Sequence, residues 1–124
     1  MIYSIGMLVK HFKGTNLLEK NIYRIEALGV DGKDIDESAI SYTGDGELST
    51  ATNLVVYSNI FQENKMFCRE YEDISSELSD EKKNAFNQTI KVQPLTEEEI
   101  EIVNNPEFIQ SKSEFVAQKF SKKM

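Results

Sequence analysis

The sequence predicts an α+β fold, a small antiparallel β-sheet or partly open barrel of about five to six strands followed by C-terminal helices that pack in a dimer. Two observations carry the fold class. Through the first 94 positions, short β-branched and aromatic runs are punctuated by Gly, Asn and Asp, as in Asn-Leu-Val-Val-Tyr-Ser-Asn-Ile at 53–60. Past Pro94 the apolar residues change to helical spacing. At 124 residues the chain is one domain by length. Residues 1–94 are the β core, with a long acidic loop at 31–52, and 95–124 are a two-helix extension of the same domain.

Ser4 to Phe12 is the first expected strand, Ile5, Met7, Val9 and His11 alternating with Gly6, Leu8, Lys10 and Phe12. Gly14-Thr15-Asn16 breaks it. Asn21 to Val30 is the second, with Ile22, Arg24, Glu26 and Leu28 on one face and Tyr23, Ile25 and Ala27 on the other. From 31 to 52 the chain carries six acids, one lysine and glycines at 32, 44 and 46, a composition expected of a lid or a disordered excursion, with a short strand at Ser38–Thr43 inside it. Asn53–Ile60 and Lys65–Glu72 form a hairpin across a turn at Gln62-Glu63-Asn64, with Phe67, Arg69 and Tyr71 on one face of the return strand. Ser79 caps a helix to Phe86, and Thr89–Gln93 is a last strand ended by Pro94.

In the tail, Thr96 and Glu99 form a capping box, and Leu95 with Ile100 a hydrophobic staple, for a helix ending near Asn104. Asn105 caps the next helix and Pro106 fits its first turn. That helix carries Phe108, Ile109, Phe115, Val116 and Phe120 on one face, which needs cover from its own sheet or from a second copy.

Composition excludes several classes. A net charge of −7 argues against a DNA or RNA binder, because phosphate neutralisation requires a basic face. No apolar run approaches the roughly 20 residues that span a bilayer. The N-terminal Met-Ile-Tyr-Ser-Ile-Gly-Met lacks a basic leader, so it reads as the start of the fold and the expected location is cytoplasmic. Cys68 is the single cysteine, which excludes an internal disulfide.

Among candidate site residues, His11 has no second histidine or nucleophile at a useful spacing, so no catalytic or metal role and no cofactor is expected of it. Asp45 with Glu47 and the run Glu97-Glu98-Glu99 read as a solvated loop and as partners of a helix dipole. Lys10, Lys13, Arg24 and Arg69 are the candidates for a local anion site. Each arginine can fork onto a phosphate or pair with one of the abundant acids, and Phe12, Tyr23, Phe67 and Tyr71 offer rings for stacking.

Val-Lys-His-Phe-Lys-Gly at 9–14, Ile-Tyr-Arg at 22–24, Leu-Val-Val-Tyr at 54–57 and Cys-Arg-Glu-Tyr-Glu-Asp at 68–73 resemble, in this order, the blocks of a bacterial and phage domain family of unknown function with a His-Phe-Lys-Gly motif. The resemblance covers residues 9–93; Thr15–Lys20 is an insertion against the pattern, and Glu70 stands where proline is usual. Taken with its two-helix tail, the chain also resembles the phage anti-Thoeris family of cyclic ADP-ribose sponges.

That second resemblance implies a non-enzymatic protein that binds the cyclic ADP-ribose signal of a bacterial TIR enzyme and releases it intact, inhibiting Thoeris defence. It further implies a homodimer or higher homo-oligomer enclosing the ligand, and cyclic oligonucleotides as further ligands. On this view adenine stacks on Phe12 or Tyr71, beside His11, while Arg24, Arg69 and Lys13 hold the pyrophosphate. Asn104 or Asn105 reaches ribose hydroxyls from the partner. The alternatives are a protein-interaction or housekeeping module on the same small β domain, and an enzyme degrading a nucleotide signal.

Overall fold

The computed structural model describes residues 2–62 and 65–121, the side chains of 120 and 121 excepted. The expected turn residues Glu63 and Asn64 and the side chain of Phe120 lie outside the described residues.

Six strands form one open, mixed sheet: β1 (Leu8–His11), β2 (Ile22–Val30), β3 (Ile40–Tyr42), β4 (Leu54–Asn59), β5 (Met66–Glu70) and β6 (Val92–Pro94), in the order β3-β5-β4-β2-β1-β6. Neighbours are antiparallel except β3, which runs parallel to β5. Four helices follow the β4–β5 pair: α1 (Tyr71–Ile74), α2 (Asp80–Phe86), α3 (Glu97–Val103) and α4 (Pro106–Ser121). The α+β class, the hairpin and both tail helices are as the sequence predicts.

Both faces of the sheet are covered. On the first, Val9, Tyr23, Ile25, Val55, Tyr57 and Val92 pack with Tyr3 and with Ile74 of α1. Full burial of one such aliphatic side chain contributes roughly 1.5 to 3 kcal/mol. The Tyr3 hydroxyl donates to the Val92 and Ile74 carbonyls at 2.6 and 3.1 Å, so its burial leaves no unpaired polar group. The second face is divided. Leu54, Val56 and Cys68 pack under Leu48 and Ala51, and Ile22 packs with Leu95 and Val103 of the tail.

Local chemistry sets the helix ends as expected. Ser79 Oγ accepts from the Lys82 amide, and Thr96 and Glu99 close a reciprocal capping box. Asn105 Oδ1 accepts from the Glu107 amide at 2.9 Å, with Pro106 opening α4. Of the two expected staple residues, Leu95 is buried and Ile100 is 37% exposed.

Long-range pairing revises four expectations. The first strand begins at Leu8, not Ser4, because the chain turns at Gly6, whose φ of +87° suits glycine and whose amide donates to the Ile25 carbonyl. Register shifts between Ile25 and Val30 insert bulges into β2, which exchange the expected faces of Ala27 and Leu28: Leu28 joins the Ile25 side and Ala27 the Val56 side. The return strand stops at Glu70, so Tyr71 lies on a helical turn. The 31–52 segment is neither lid nor excursion. Its two 3-10 turns and β3 pack on the sheet through Leu48 and Ala51, and Gly32 donates to the Ala51 carbonyl so closely that any Cβ there would strike Leu48.

Two lysines are built into the interior. Lys20, 3% exposed, donates through Nζ to the Phe12 and Phe86 carbonyls and to Gln88 Oε1 at 2.7 to 3.1 Å. Lys112 of α4, 2% exposed, donates to the Leu17, Leu18 and Lys20 carbonyls and lies over the rings of Phe61 and Phe115. Phe108 meets Phe61 edge-on at 6.2 Å, so the apolar face of α4 is partly covered by its own sheet, while Ile109 remains exposed. Among the described residues no helix is long and apolar enough to cross a membrane.

Candidate functional site

Alternation along β1 sends His11 to the same face as Val9, and the register places Val9 beside Tyr23 of β2 and His11 beside Val92 of β6. Across the sheet the same face carries Tyr57 of β4, then Phe67 and Arg69 of β5. Tyr23, Tyr57 and Phe67 form one aromatic floor, with ring centroids 4.8 Å apart for the tyrosine pair and 5.9 Å for each contact with Phe67. Above it lies a cavity of about 500 Å³, walled by His11 and the Lys13-Gly14 turn on one side and by Phe115 and Lys119 of α4 on another.

The cavity inverts the charge of the protein. Lys13, Arg69 and Lys119 line it with one carboxylate, Glu19, which is tied back by the hydroxyl and amide of Thr15. Arg69 Nε pairs with Asp73, whose other carboxylate oxygen takes Lys91 Nζ at 2.7 Å. Partial burial pulls the Asp73 pKa up, but the Lys91 and Arg69 cations outweigh it and hold the carboxyl below its usual range. Two cations on one acid leave a net positive charge at the cavity rim.

Burial first, and then the cations Lys13, Arg69, Lys20 and Lys91, push the His11 pKa down to about 4. Its Nδ1 accepts a long bond from the Lys13 amide at 3.4 Å, which assigns the proton of the neutral ring to Nε2. Burial also raises the Tyr23 pKa to about 12 and moves Tyr57 the same way, so both phenols stay neutral at physiological pH. The site therefore offers cations and neutral donors over a π surface. Among the described residues no group of three His, Cys, Asp or Glu side chains is placed to hold a metal ion.

The His11 environment yields a stability test. The folded imidazole binds a proton less tightly than the unfolded one, whose pKa is about 6.5, so its contribution is complete above pH 6.5 and is lost as pH falls toward 4. We expect on the order of 2 kcal/mol lost over that window in denaturant titrations, with a shallower slope in His11→Asn. Equal slopes in the two proteins would contradict the assignment. The depressed carboxyls of Asp73 and Glu99 act lower, as pH falls below their ordinary range.

Of the residues predicted from sequence, His11, Lys13 and Arg69 meet in this cavity, together with two of the four expected stacking rings, Tyr23 and Phe67. Lys10, Phe12, Arg24, Tyr71, Asn104 and Asn105 do not line it. Arg24 stands beside Leu8 and Ser58 on the opposite face of the sheet, exposed, so the two arginines cannot grip one phosphate within a single chain. Phe12 is buried edge-on to Phe86 with Lys82 over its ring, leaving no open face for adenine. Lys10 is spent on Glu99 of α3. Tyr71 packs edge-on to Tyr3, accepts from the Ile2 amide and borders a separate, acidic cavity of about 340 Å³ beside Glu70 and Asp45. Asn104 and Asn105 sit exposed at the α3–α4 junction and do not line the cavity.

Sequence reasoning missed Tyr57, Asn21, Phe115 and Lys119. The signal for Tyr57 was present, an aromatic residue at an alternate position of the clearest strand, but that pattern also describes core. Comparison with protein-family models, curated proteins and solved structures finds no match to this chain.

Proposed function

We propose that this protein captures a phosphate-bearing aromatic signal of the cyclic ADP-ribose type and holds it without transforming it, acting as a sponge that inhibits Thoeris defence. The observation that carries this reading is the meeting of Arg69, Lys13 and Lys119 over the floor of Tyr23, Tyr57 and Phe67 in a chain whose net charge is −7. Cations focused in a partly desolvated cleft attract phosphate, and an aromatic floor supplies a stacking surface. Neutral His11, with Nε2 protonated, is a hydrogen-bond donor and is poorly suited to act as a base. A binder needs affinity only, not selective stabilisation of a transition state.

The test is to incubate the protein with cyclic ADP-ribose isomers, remove it by heat and assay the supernatant. Depletion before heating and return of unchanged ligand afterwards is the expected result. A linear product would make the protein an enzyme, and absence of depletion would sink both readings.

The exposed Ile100, Ile102 and Ile109 of the tail favour a second reading, in which α3 and α4 meet another protein surface, a second copy of the chain included. Sedimentation at rising concentration checks it, and a monomer throughout contradicts the homo-oligomer.

A further inference from the structure

The cavity over the aromatic floor does not end at α4. A narrower lobe of about 210 Å³ continues from it and shares Glu19, Asn21, Tyr23, Phe115 and Lys119 with the main cavity. Its remaining lining differs in kind: Asn59, Gln62 and Val116, with Lys112 behind them. Lys112 is a cation in name only for this purpose, because its ammonium is committed to three backbone carbonyls and two rings. Lys119 and Glu19 then offset each other, and what distinguishes the narrow lobe is its carboxamides at Asn21, Asn59 and Gln62 and its apolar walls from Phe115 and Val116.

We propose that the narrow lobe seats a planar heterocycle, a nucleobase, whose edge is read by the carboxamides while the attached phosphates lie in the main cavity against Arg69 and Lys13. The inference rests on the reading that a phosphate-bearing aromatic ligand is captured, and it adds where the ring goes. Phosphate is less favoured in the narrow lobe than in the main cavity, since Glu19 offsets Lys119 there, Arg69 and Lys13 are absent, and amides and apolar walls do not replace the hydration of a dianion. A ring with donors and acceptors on its edge suits carboxamides, which carry both functions, and its faces suit Tyr23 and Phe115. Asn21 and Asn59 are partly engaged, with the Tyr23 side chain and the Phe61 amide respectively. Gln62, whose carboxamide makes no bond among the described residues, is the principal reader of the base edge.

Two variants and two probes test this. Val116→Trp fills the lobe, and Gln62→Leu removes the principal amide while keeping its size. Isothermal titration with cyclic ADP-ribose isomers and, separately, with inorganic pyrophosphate is expected to show cyclic ADP-ribose affinity falling at least tenfold in Val116→Trp and several-fold in Gln62→Leu, with pyrophosphate affinity unchanged in both. If both variants, folded by circular dichroism, bind the cyclic ligand as tightly as the unaltered protein, the ring does not sit in this lobe and the inference falls while capture stands. If the unaltered protein binds none of the cyclic isomers, capture itself has failed and the base seat with it.

Discussion

Lys20→Met is expected to destabilise the protein by about 3 kcal/mol, among the largest effects of any charged-residue substitution here. Two effects oppose each other. Burial pushes the Lys20 pKa down, with Lys10 adding to the shift, so removing the ammonium relieves a desolvation cost. Against that, methionine orphans the Phe12 carbonyl, the Phe86 carbonyl at the end of α2 and Gln88 Oε1 together. Each buried acceptor left unpaired costs about 1 to 3 kcal/mol, and three of them outweigh one relieved charge. The loss also spreads. Gln88 is itself 3% exposed and donates to the carbonyls of Lys10, Ile90 and Lys91, so its orientation against β1 depends on the partner that Lys20 supplies. Urea unfolding of Lys20→Met beside the exposed control Lys33→Met measures the difference. A shift below about 1 kcal/mol would show that relieved desolvation wins.

Arg69→Ala is expected to weaken capture of cyclic ADP-ribose by about 2 to 3 kcal/mol, or roughly 30- to 150-fold, while leaving the fold nearly intact. The fold is spared because Asp73 keeps Lys91 as its partner. Binding is not spared, since arginine supplies a planar, bidentate phosphate donor that Lys13 and Lys119 can match in charge but not in geometry. Arg69→Lys should accordingly recover only part of the loss. Arg24→Ala is the internal comparison: on the far face of the sheet it should leave affinity unchanged if one chain holds the phosphate. Equal losses from the two arginines would place Arg24 in the site through a second copy, and no loss at Arg69 would remove it from the site.

What could be read from the sequence was what neighbouring residues decide among themselves. Ser79, the Thr96–Glu99 pair and Asn105-Pro106 fix helix starts through bonds spanning three or four residues, and all three starts stand where the chemistry puts them. Strand existence was equally local. The assignment of residues to faces was not, because alternation relates residues within a strand but leaves open how one strand is turned relative to the next. Arg24 and Arg69 thus looked like partners until the register set Arg24 against Leu8 and Arg69 against Val55, on opposite faces. The exchange of Ala27 and Leu28 has the same origin in β2 bulges that depend on β4. The parallel pairing of β3 with β5 goes with Ile40 and Tyr42 packing beside Leu48 and Ala51, a long-range cluster that the acid and glycine content of 31–52 does not announce. The cavity was legible in part: His11, Lys13 and Arg69 stood out by chemistry, whereas Phe115 and Lys119 arrive from a helix that only tertiary packing brings there.

The two borders of the sheet bear on how much of this protein a cell can hold. β3 is three residues long, and β6 ends on Pro94, which has no amide to offer a passing strand. Neither border is a good template for recruiting another chain into an extending ladder. A capture protein without turnover must accumulate to the level of the molecule it removes, and such crowding is where strand-to-strand aggregation would be most damaging. On the proposed reading, two short borders, one of them stopped by Pro94, suit stoichiometric capture.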